Sequence, residues 1–203
     1  MTASGVDASA EVHPSAVVDA PVRIGARTRV WHFVHVMSGA TIGDDCVIGQ
    51  GCFVAGTARV GARVRIQNGV SVYDGVVLED DVFCGPGVVF TNVKNPRAHV
   101  SRKAEYRTTL VRRGATLGAN ATILPGVVVG EHAFVGAGSV VTRDIACFEL
   151  VVGAPARAVG HVSRRGDRLE FDARGMARCP VTGEVYAQDA EGRVALVPAG
   201  SGA

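Results

Sequence analysis

The sequence predicts an all-β fold, a parallel β-helix in which the chain winds around three flat sides. An aliphatic residue returns at every sixth position over most of the chain, and 26 of the 203 residues are Gly. A period of six fits neither the 3.6-residue turn of an α-helix nor the alternation of an ordinary strand. A short strand followed by a turn does repeat at this interval, and hexapeptide repeats are typical of a parallel β-helix.

The repeat occupies two stretches of the chain that differ in phase by three residues. Its anchor positions are Val12, Val18, Ile24, Val30, Val36, Ile42, Ile48, Val54, Val60, Ile66, Val72, Leu78, Cys84 and Phe90, then Val111, Leu117, Ile123, Val129, Val135 and Val141. A small or β-branched residue follows most anchors by four places, as β-strands and tight turns favour. We expect both positions to point into a core. Three such hexads close one coil, so residues 18 apart should stack.

Composition limits the class of protein. Hydrophobic residues make up 47% of the chain and aromatic residues 5%, so the core must be aliphatic. A net charge of +2 is too small to suggest a nucleic-acid partner. No apolar run reaches the roughly 18 residues of a membrane helix, and the N-terminus lacks the features of a signal peptide. Five Cys without paired spacing argue against a disulfide framework. We therefore expect a cytoplasmic protein without a membrane partner.

Three segments follow from the extent of the repeat. We expect a flexible N-terminus over residues 1–10, the β-helix over 11–160 and a C-terminal tail over 161–203. Between 93 and 110 the repeat is interrupted by the basic loop VKNPRAHVSRKAEYRTTL, in which Arg97 and Arg107 are candidates for binding an anion. A simply solvated loop is the alternative.

Stacked coils would gather the polar residues into columns, because neighbouring strands lie about 4.8 Å apart. Candidate ligand contacts in one column and beside it are His32, Gln50, Asn68 and Gln67, and those of a second column and its neighbour are Tyr73, Asp74, Thr91 and Asn92. A plainly solvated surface is the alternative, above all for Asp74. Farther along, small residues and one Arg could receive a slim ligand against the backbone, although β-helix turns need small residues anyway. These are Gly118, Ala119, Ala121, Gly136, Ala137 and Arg157.

Residues 11–160 resemble the left-handed β-helix of the hexapeptide acyltransferases, a family that usually forms homotrimers with active sites between subunits. The segments WHFVHV, IQNGVSVYDGV, LEDDVFCGPGVVFTNVKNPRA, GANATILPG and VVGAPAR are similar to one subfamily. Its members use acetyl-CoA to acetylate the 3-amine of a UDP-linked 2-acetamido-3-amino-2,3-dideoxy-glucuronate for surface polysaccharides. The resemblance implies a pantetheine arm along the small residues, with the CoA phosphates near Arg157.

Several alternatives to this substrate stay open. A sister group acts on dTDP-3-amino-6-deoxyhexoses, and Gln67, Asn68 and Tyr73 favour the uronate group over it. Other hexapeptide acyltransferases, such as those acting on serine or tetrahydrodipicolinate, are further candidates. A γ-type carbonic anhydrase has the same architecture but needs three His around a metal, and only His32 and His35 lie on one face region.

The expected chemistry is acyl transfer to an amine that must lose a proton. Asn68 is the candidate for positioning the amine, because an amide is not a base at neutral pH. His32 or His35 is the candidate general base, and the departing CoA thiolate is an alternative proton acceptor. Cys46, Cys52 and Cys84 fall on inward positions, so we expect no acetyl-enzyme.

The tail departs from the pattern of the family. Relatives often end in a Cys-rich knuckle, whereas residues 161–203 retain only Cys179. One Cys cannot supply the four ligands of a tetrahedral zinc, so we expect no metal. We expect this degenerate knuckle to be a loosely packed tail or a small hairpin.

Overall fold

The fold is a left-handed parallel β-helix with three flat sides, as a computed structural model describes it for residues 5–198. Strands of mostly two residues alternate with turns and recur on sides A, B and C in rotation. Side A consists of β1 (Gly5–Val6), β4 (Arg23–Ile24), β7 (Thr41–Ile42), β10 (Arg59–Val60), β13 (Val76–Leu78), β16 (Thr109–Val111) and β19 (Val128–Val129).

The other two sides repeat the same arrangement. Side B contains β2 (Glu11–Val12), β5 (Arg29–Val30), β8 (Val47–Ile48), β11 (Arg65–Ile66), β14 (Phe83–Cys84), β17 (Thr116–Leu117) and β20 (Phe134–Val135), and continues into β22 (Glu149–Val152), β23 (Arg157–Val162) and β24 (Arg168–Leu169). Side C contains β3 (Val17–Val18), β6 (His35–Val36), β9 (Phe53–Val54), β12 (Ser71–Val72), β15 (Val89–Phe90), β18 (Thr122–Ile123) and β21 (Val140–Val141).

The register between coils confirms the predicted interval of 18. Ile48 pairs with Val30 on one side and Ile66 on the other, all in parallel strands. Each anchor from Ile24 to Val141 is at most 3% exposed, and Val12 and Val18 at the open end are half-buried. The second strand residue therefore fills the core while the first faces outward, because successive strand residues point to opposite faces.

The basic loop lengthens one coil. Val76 of β13 pairs with Thr109 of β16, a step of 33 residues in place of 18. The loop leaves side C after Phe90 and contains a short 3-10 helix at Lys103–Glu105. Its return is fastened by a hydrogen bond from the Arg107 N–H to the Asn92 carbonyl (3.2 Å). The repeat therefore resumes in register after the insertion.

The N-terminal end of the β-helix differs from the expected boundary. Gly5 and Val6 already pair with Arg23 and Ile24, so the first coil begins before residue 11. Residues 1–4 and 199–203, which belong to the expected flexible N-terminus and tail, lie outside the described residues.

No helix in the described part of the chain is long and apolar enough to cross a membrane.

The tail is more ordered than a loose segment or a single hairpin. It forms an antiparallel sheet of β25 (Met176–Arg178), β26 (Val185–Gln188) and β27 (Val194–Leu196). Tyr186 is fully buried at the centre of a small core. Its buried members are Phe148, Leu169, Ala177, Cys179, Tyr186 and Val194. Because Phe148 lies just after the last coils, this module packs against the end of the β-helix.

Candidate active site

One column of residues at the corner between sides B and C unites positions that the sequence analysis treated as two separate sets. Turn hydrogen bonds join consecutive coils here, for example from the Gly69 N–H to the Gln50 carbonyl (2.9 Å) and from the Gly138 N–H to the Ala119 carbonyl (2.8 Å). We call this set the corner column, and it comprises His32, Gln50, Asn68, Pro86, Ala119 and Ala137. The polar half of the column therefore continues directly into the small-residue half.

The amide oxygen and the amide NH2 of Asn68 are in different hydrogen-bonding states. Its Oδ1 accepts a hydrogen bond from the backbone N–H of Gln50 at 2.9 Å. Asp44 and Asp80 brace other turns in the same way, accepting from Ala26 and Ala62 at 2.9 Å each. The Asn68 amide NH2 has no hydrogen-bond partner among residues 5–198, so a donor is left for a ligand.

The two candidate histidines lie in different places. His32 belongs to the corner column and stacks on His13, with the ring centroids 3.6 Å apart. His35 projects from side C, where its Nε2 lies 2.8 Å from Asp19 Oδ2 and its ring contacts Phe53 edge-on. His32 is about two strand spacings from Asn68, roughly 9 to 10 Å. Only His32 therefore shares a surface with Asn68.

With the N-terminal coils drawn at the top, a half-open groove of about 390 Å³ runs along the upper part of the corner column. The carboxamides of Gln50 and Gln67 make no hydrogen bond within the described part of the chain. Gly49 forms part of the wall, where a Cβ would approach the Asn68 backbone N to 2.7 Å. Its lining residues are Trp31, His32, Val47, Gly49, Gln50, Ile66, Gln67 and Asn68. The groove therefore places the free carboxamides of Gln50 and Gln67 close to the indole ring of Trp31.

Residues of the second predicted column lie at the opposite edge of side C. Asp74 accepts hydrogen bonds from the Thr57 N–H (3.2 Å) and hydroxyl (2.7 Å), so it braces a turn. The Thr91 hydroxyl donates to the Ile123 carbonyl at 3.1 Å, and Asn92 fastens the basic loop. Tyr73 is exposed and tilts against Phe53. Within one chain, these residues are not brought together with Asn68.

The basic loop carries cations without acidic partners. Arg97 donates to the carbonyl of its neighbour Pro96 (3.2 Å), and the aliphatic part of Arg107 lies over Gly126. Neither forms an ion pair among residues 5–198. In contrast, Arg102 Nη1 donates to Glu105 Oε1 at 2.8 Å and to Oε2 at 2.9 Å. Arg97 and Arg107 are exposed and available to an anion.

The predicted cofactor residues differ in how the structure explains and positions them. A Cβ at Gly118 would lie 2.5 Å from the Ala137 backbone N, so the turn itself requires glycine. Gly136 and Ala137 line the outside of the corner, and Arg157 is exposed at the start of β23. Ala121 is 0% exposed and points into the core, so its side chain cannot line an external groove. The choice of Ala121 as a contact residue is corrected here.

The buried thiols are poor nucleophiles. Cys46, Cys52 and Cys84 all lie in the core, and burial raises the pKa of each thiol above its usual value. A thiol that stays protonated cannot attack a thioester. Among residues 5–198, no group of three or more His, Cys, Asp and Glu side chains is arranged to hold a metal ion.

Two residues of this corner were not singled out by the sequence analysis. Trp31 borders the groove, and its ring is parallel to that of His32 within 6°. His13 supports His32 from the other side and is fixed by contacts of its Nδ1 with Ser15. Trp31 is the single Trp of the chain, a signal that could have drawn attention to it.

Comparisons with known proteins agree with this architecture. The family model for the bacterial transferase hexapeptide (six repeats) matches residues 21–56 and 108–143, and the hexapeptide repeat of succinyl-transferase matches residues 39–74. A Bacillus cereus protein of known structure has the same fold, with a TM-score of 0.54, 22% identity and 77% of this chain and 81% of that one covered. The repeat and the winding therefore define a β-helix protein of the hexapeptide-repeat class.

Two further relatives narrow the class. The dTDP-3-amino-3,6-dideoxy-alpha-D-galactopyranose 3-N-acetyltransferase of Aneurinibacillus thermoaerophilus is 47% identical over 83% of this chain and 87% of its own length. A hexapeptide-repeat acetyltransferase from Vibrio cholerae, solved with acetyl coenzyme A, has a TM-score of 0.54 and 25% identity over 62% of this chain and 72% of its own. The chain belongs to the hexapeptide-repeat sugar N-acetyltransferases and is an acetyl-CoA-dependent enzyme.

Proposed function

We propose that the enzyme acetylates the 3-amine of a dTDP-linked 3-amino-3,6-dideoxyhexose. The observation that carries the proposal is the 47% identity, over 83% of this chain, to an enzyme named for that reaction on the galactose-configured sugar. The sequence analysis favoured the UDP-linked uronate on the strength of Gln67, Asn68 and Tyr73. The comparisons do not support that preference, and the dTDP alternative fits them better.

The groove beside Asn68 offers neutral polar groups to the substrate. Its lining residues include no Arg or Lys, so the diphosphate of the nucleotide sugar needs cations from outside the groove, and Arg97 and Arg107 of the basic loop are the candidates. The amide side chains of Gln50 and Gln67 suit neutral carbonyl and N–H groups. Gln50, Gln67 and Asn68 are therefore the proposed substrate contacts of the groove.

The proposed chemistry is direct transfer between two bound substrates. The sugar amine attacks the thioester carbon, the C–N bond forms, the C–S bond breaks and CoA leaves as a thiolate. The Asn68 amide NH2 would donate a hydrogen bond to the thioester oxygen and leave the lone pair of the amine free to attack, since the Asn68 oxygen is already engaged by Gln50. The departing CoA thiolate accepts the amine proton in this proposal, because His32 lies roughly 9 to 10 Å from Asn68, beyond hydrogen-bond reach of an amine held there. His35 lies on side C, away from Asn68 of the same chain, and its Nε2 is paired with Asp19, which leaves Nδ1 as the atom that would accept a proton.

We place acetyl-CoA along the lower half of the corner column. Gly118, Ala119, Gly136 and Ala137 have little or no side chain, so pantetheine amides can reach the backbone. Arg157 is exposed near the lower end and could bind a CoA phosphate. The thioester would then point upward to Asn68, where the amino sugar is proposed to lie.

We also propose a homotrimer with active sites between subunits. The support is an exposed apolar strip along side C and its corners, which includes Val17, Phe33 and Val89. Closing this strip against another subunit would bury apolar area and could bring Tyr73, Asp74, Arg97 or Arg107 of one subunit to the corner column of another. Light scattering of the purified protein should give three times the chain mass, and a monomeric mass would contradict the trimer.

A thiol-release assay tests the proposed reaction. The purified enzyme is mixed with acetyl-CoA and, in turn, dTDP-linked 3-amino-3,6-dideoxyhexoses, the UDP-linked 3-amino uronate, serine and no acceptor. We expect CoA release that depends on the dTDP sugar, and an amide product by mass spectrometry. A preference for the UDP-linked uronate, or for serine, would overturn the proposal.

A further inference from the structure

We propose that Trp31 is the platform on which the base of the nucleotide sugar stacks. This inference rests on the proposed function, because it names the part of the substrate that occupies the upper end of the groove. Trp31 is the only Trp of the chain and is 44% exposed, although aromatic residues of this size are mostly buried. An exposed ring at the edge of a groove is suited to binding a flat ligand.

The neighbouring rings fix the orientation of Trp31. Its ring lies parallel to His32 within 6°, with the centroids 6.2 Å apart, and His32 in turn stacks on His13. The Trp31 backbone N–H is bonded to the Ile48 carbonyl at 3.0 Å. The platform is therefore held in place before a ligand arrives, which lowers the entropic cost of binding.

The coil below Trp31 leaves room for a planar ring. The residue stacked beneath it is Gly49, and Gln67 follows one coil lower. Two strand spacings separate the levels of Trp31 and Gln67, roughly 9 to 10 Å. A planar base needs about 3.5 Å on each face, so it can fit between these two levels. A Cβ at Gly49 would lie 2.7 Å from the Asn68 backbone N, so no side chain can stand at this level between Trp31 and Gln67.

The polar groups of the gap fit a pyrimidine base. The free carboxamides of Gln50 and Gln67 each offer a donor and an acceptor, and thymine or uracil presents carbonyl acceptors flanking one N–H donor. Adenine, the base of CoA, lacks such an imide edge. In this arrangement the base at Trp31, the sugar at Asn68 and acetyl-CoA at Ala119 and Ala137 follow one another along one edge, and the deoxyribose and diphosphate that join base and sugar bend outward from the groove.

The single Trp provides a direct readout. Fluorescence excited selectively at Trp should be quenched by dTDP in a saturable manner and less by CoA at the same concentration. We expect Trp31→Ala to raise the KM for the nucleotide sugar at least tenfold, equivalent to about 1.4 kcal/mol, within the range measured for base stacking on aromatic side chains. Trp31→Phe should retain most of the affinity, with a KM within about threefold of the unchanged enzyme. The KM for acetyl-CoA should stay within twofold in both variants.

The matched control is Phe83→Ala, which removes another exposed ring from side B, outside the groove. It should leave both KM values unchanged. Quenching by CoA but not by dTDP, or an unchanged nucleotide-sugar KM in Trp31→Ala, would overturn the inference even if acetyl transfer to the dTDP sugar is observed. Conversely, saturable quenching by dTDP without acetylation of any nucleotide sugar would refute the proposed function and leave the base-binding site standing.

Discussion

The Oδ1 atom of Asn68 accepts a hydrogen bond from the Gln50 backbone N–H at 2.9 Å. The residue proposed to position the substrate is thus also a brace between two coils. Asp44 and Asp80 make the same bond at another corner with a carboxylate oxygen. The brace needs only an acceptor, whereas the proposed catalytic role needs the amide NH2, and this difference allows the two roles to be separated by mutation.

Asn68→Asp should retain the brace and lose the donor. We expect kcat to fall at least tenfold, or about 1.4 kcal/mol in the activation free energy, while the midpoint of thermal unfolding stays within about 2 °C. Asn68→Ala should lose both, with a similar fall in kcat and a lower unfolding midpoint because the Gln50 N–H loses its partner. Steady-state kinetics and thermal denaturation measure the two effects. Full activity in Asn68→Asp would remove the amide from the mechanism.

Substitution of either histidine should have a small effect on turnover. We expect His32→Gln to change kcat by less than about threefold, because His32 lies roughly 9 to 10 Å from Asn68 and outside hydrogen-bond reach of an amine held there. His35→Gln should also change kcat by less than about threefold, because His35 projects from side C, away from Asn68. Steady-state kinetics across a pH series for both variants measure these effects. A fall in kcat of about 100-fold in either variant, the lower end of the range for general base catalysis, would assign the proton to that histidine instead of the CoA thiolate.

Tyr186 should hold the C-terminal module together. Its hydroxyl accepts from the Arg164 N–H and donates to Glu184 Oε2, each at 2.9 Å. Tyr186→Phe should lower the free energy of unfolding by about 1 to 2 kcal/mol. Tyr186→Ala should cost about 3 to 5 kcal/mol through loss of the ring from the core. Urea denaturation and limited proteolysis measure both, with Tyr106→Phe in the exposed loop as control. A protease-resistant tail in Tyr186→Ala would contradict the assignment.

Stability should fall as the pH drops below about 6.5, partly through His132. Its ring is stacked on Phe148, and burial lowers the pKa of His132 below its ordinary value of 6.5. Glu131 opposes this shift, as does Asp81, whereas Arg164 and Arg113 reinforce it. The unfolded chain therefore binds a proton at a higher pH than the folded chain does. This makes the free energy of unfolding rise with pH through that window and fall on acidification.

The variant His132→Phe tests this assignment, because it keeps a ring against Phe148 and removes the titrating group. Urea denaturation between pH 5 and 8 should show a smaller loss of stability on acidification in this variant. His161, whose pKa is also lowered by burial, accounts for part of the remaining slope. The exposed His99→Gln is the control and should keep the slope of the unchanged protein. An unaltered slope in His132→Phe would assign the effect to other groups.

The six-residue pattern alone determined which side chains fill the core. Ile48, Ile66 and Leu117 are buried because a two-residue strand turns its second residue inward, a local property that the sequence carries at each repeat. The same rule placed His32, Gln50 and Asn68 in one line, since the interval of 18 holds without exception from β4 to β14. Ala121 also falls on an inward position, so the pattern itself argued against its choice as a contact.

Only the tertiary structure determined which residues become neighbours across the inserted loop and at the C-terminal end of the chain. The step from Pro86 to Ala119 depends on how many residues the loop absorbs, and strand pairing between β13 and β16 fixes that number. Tyr186 and Phe148 are far apart in the chain, and no local period predicts their contact. Local periodicity therefore sets whether a residue faces in or out, whereas hydrogen bonding between coils sets its neighbours, because register is a property of paired strands.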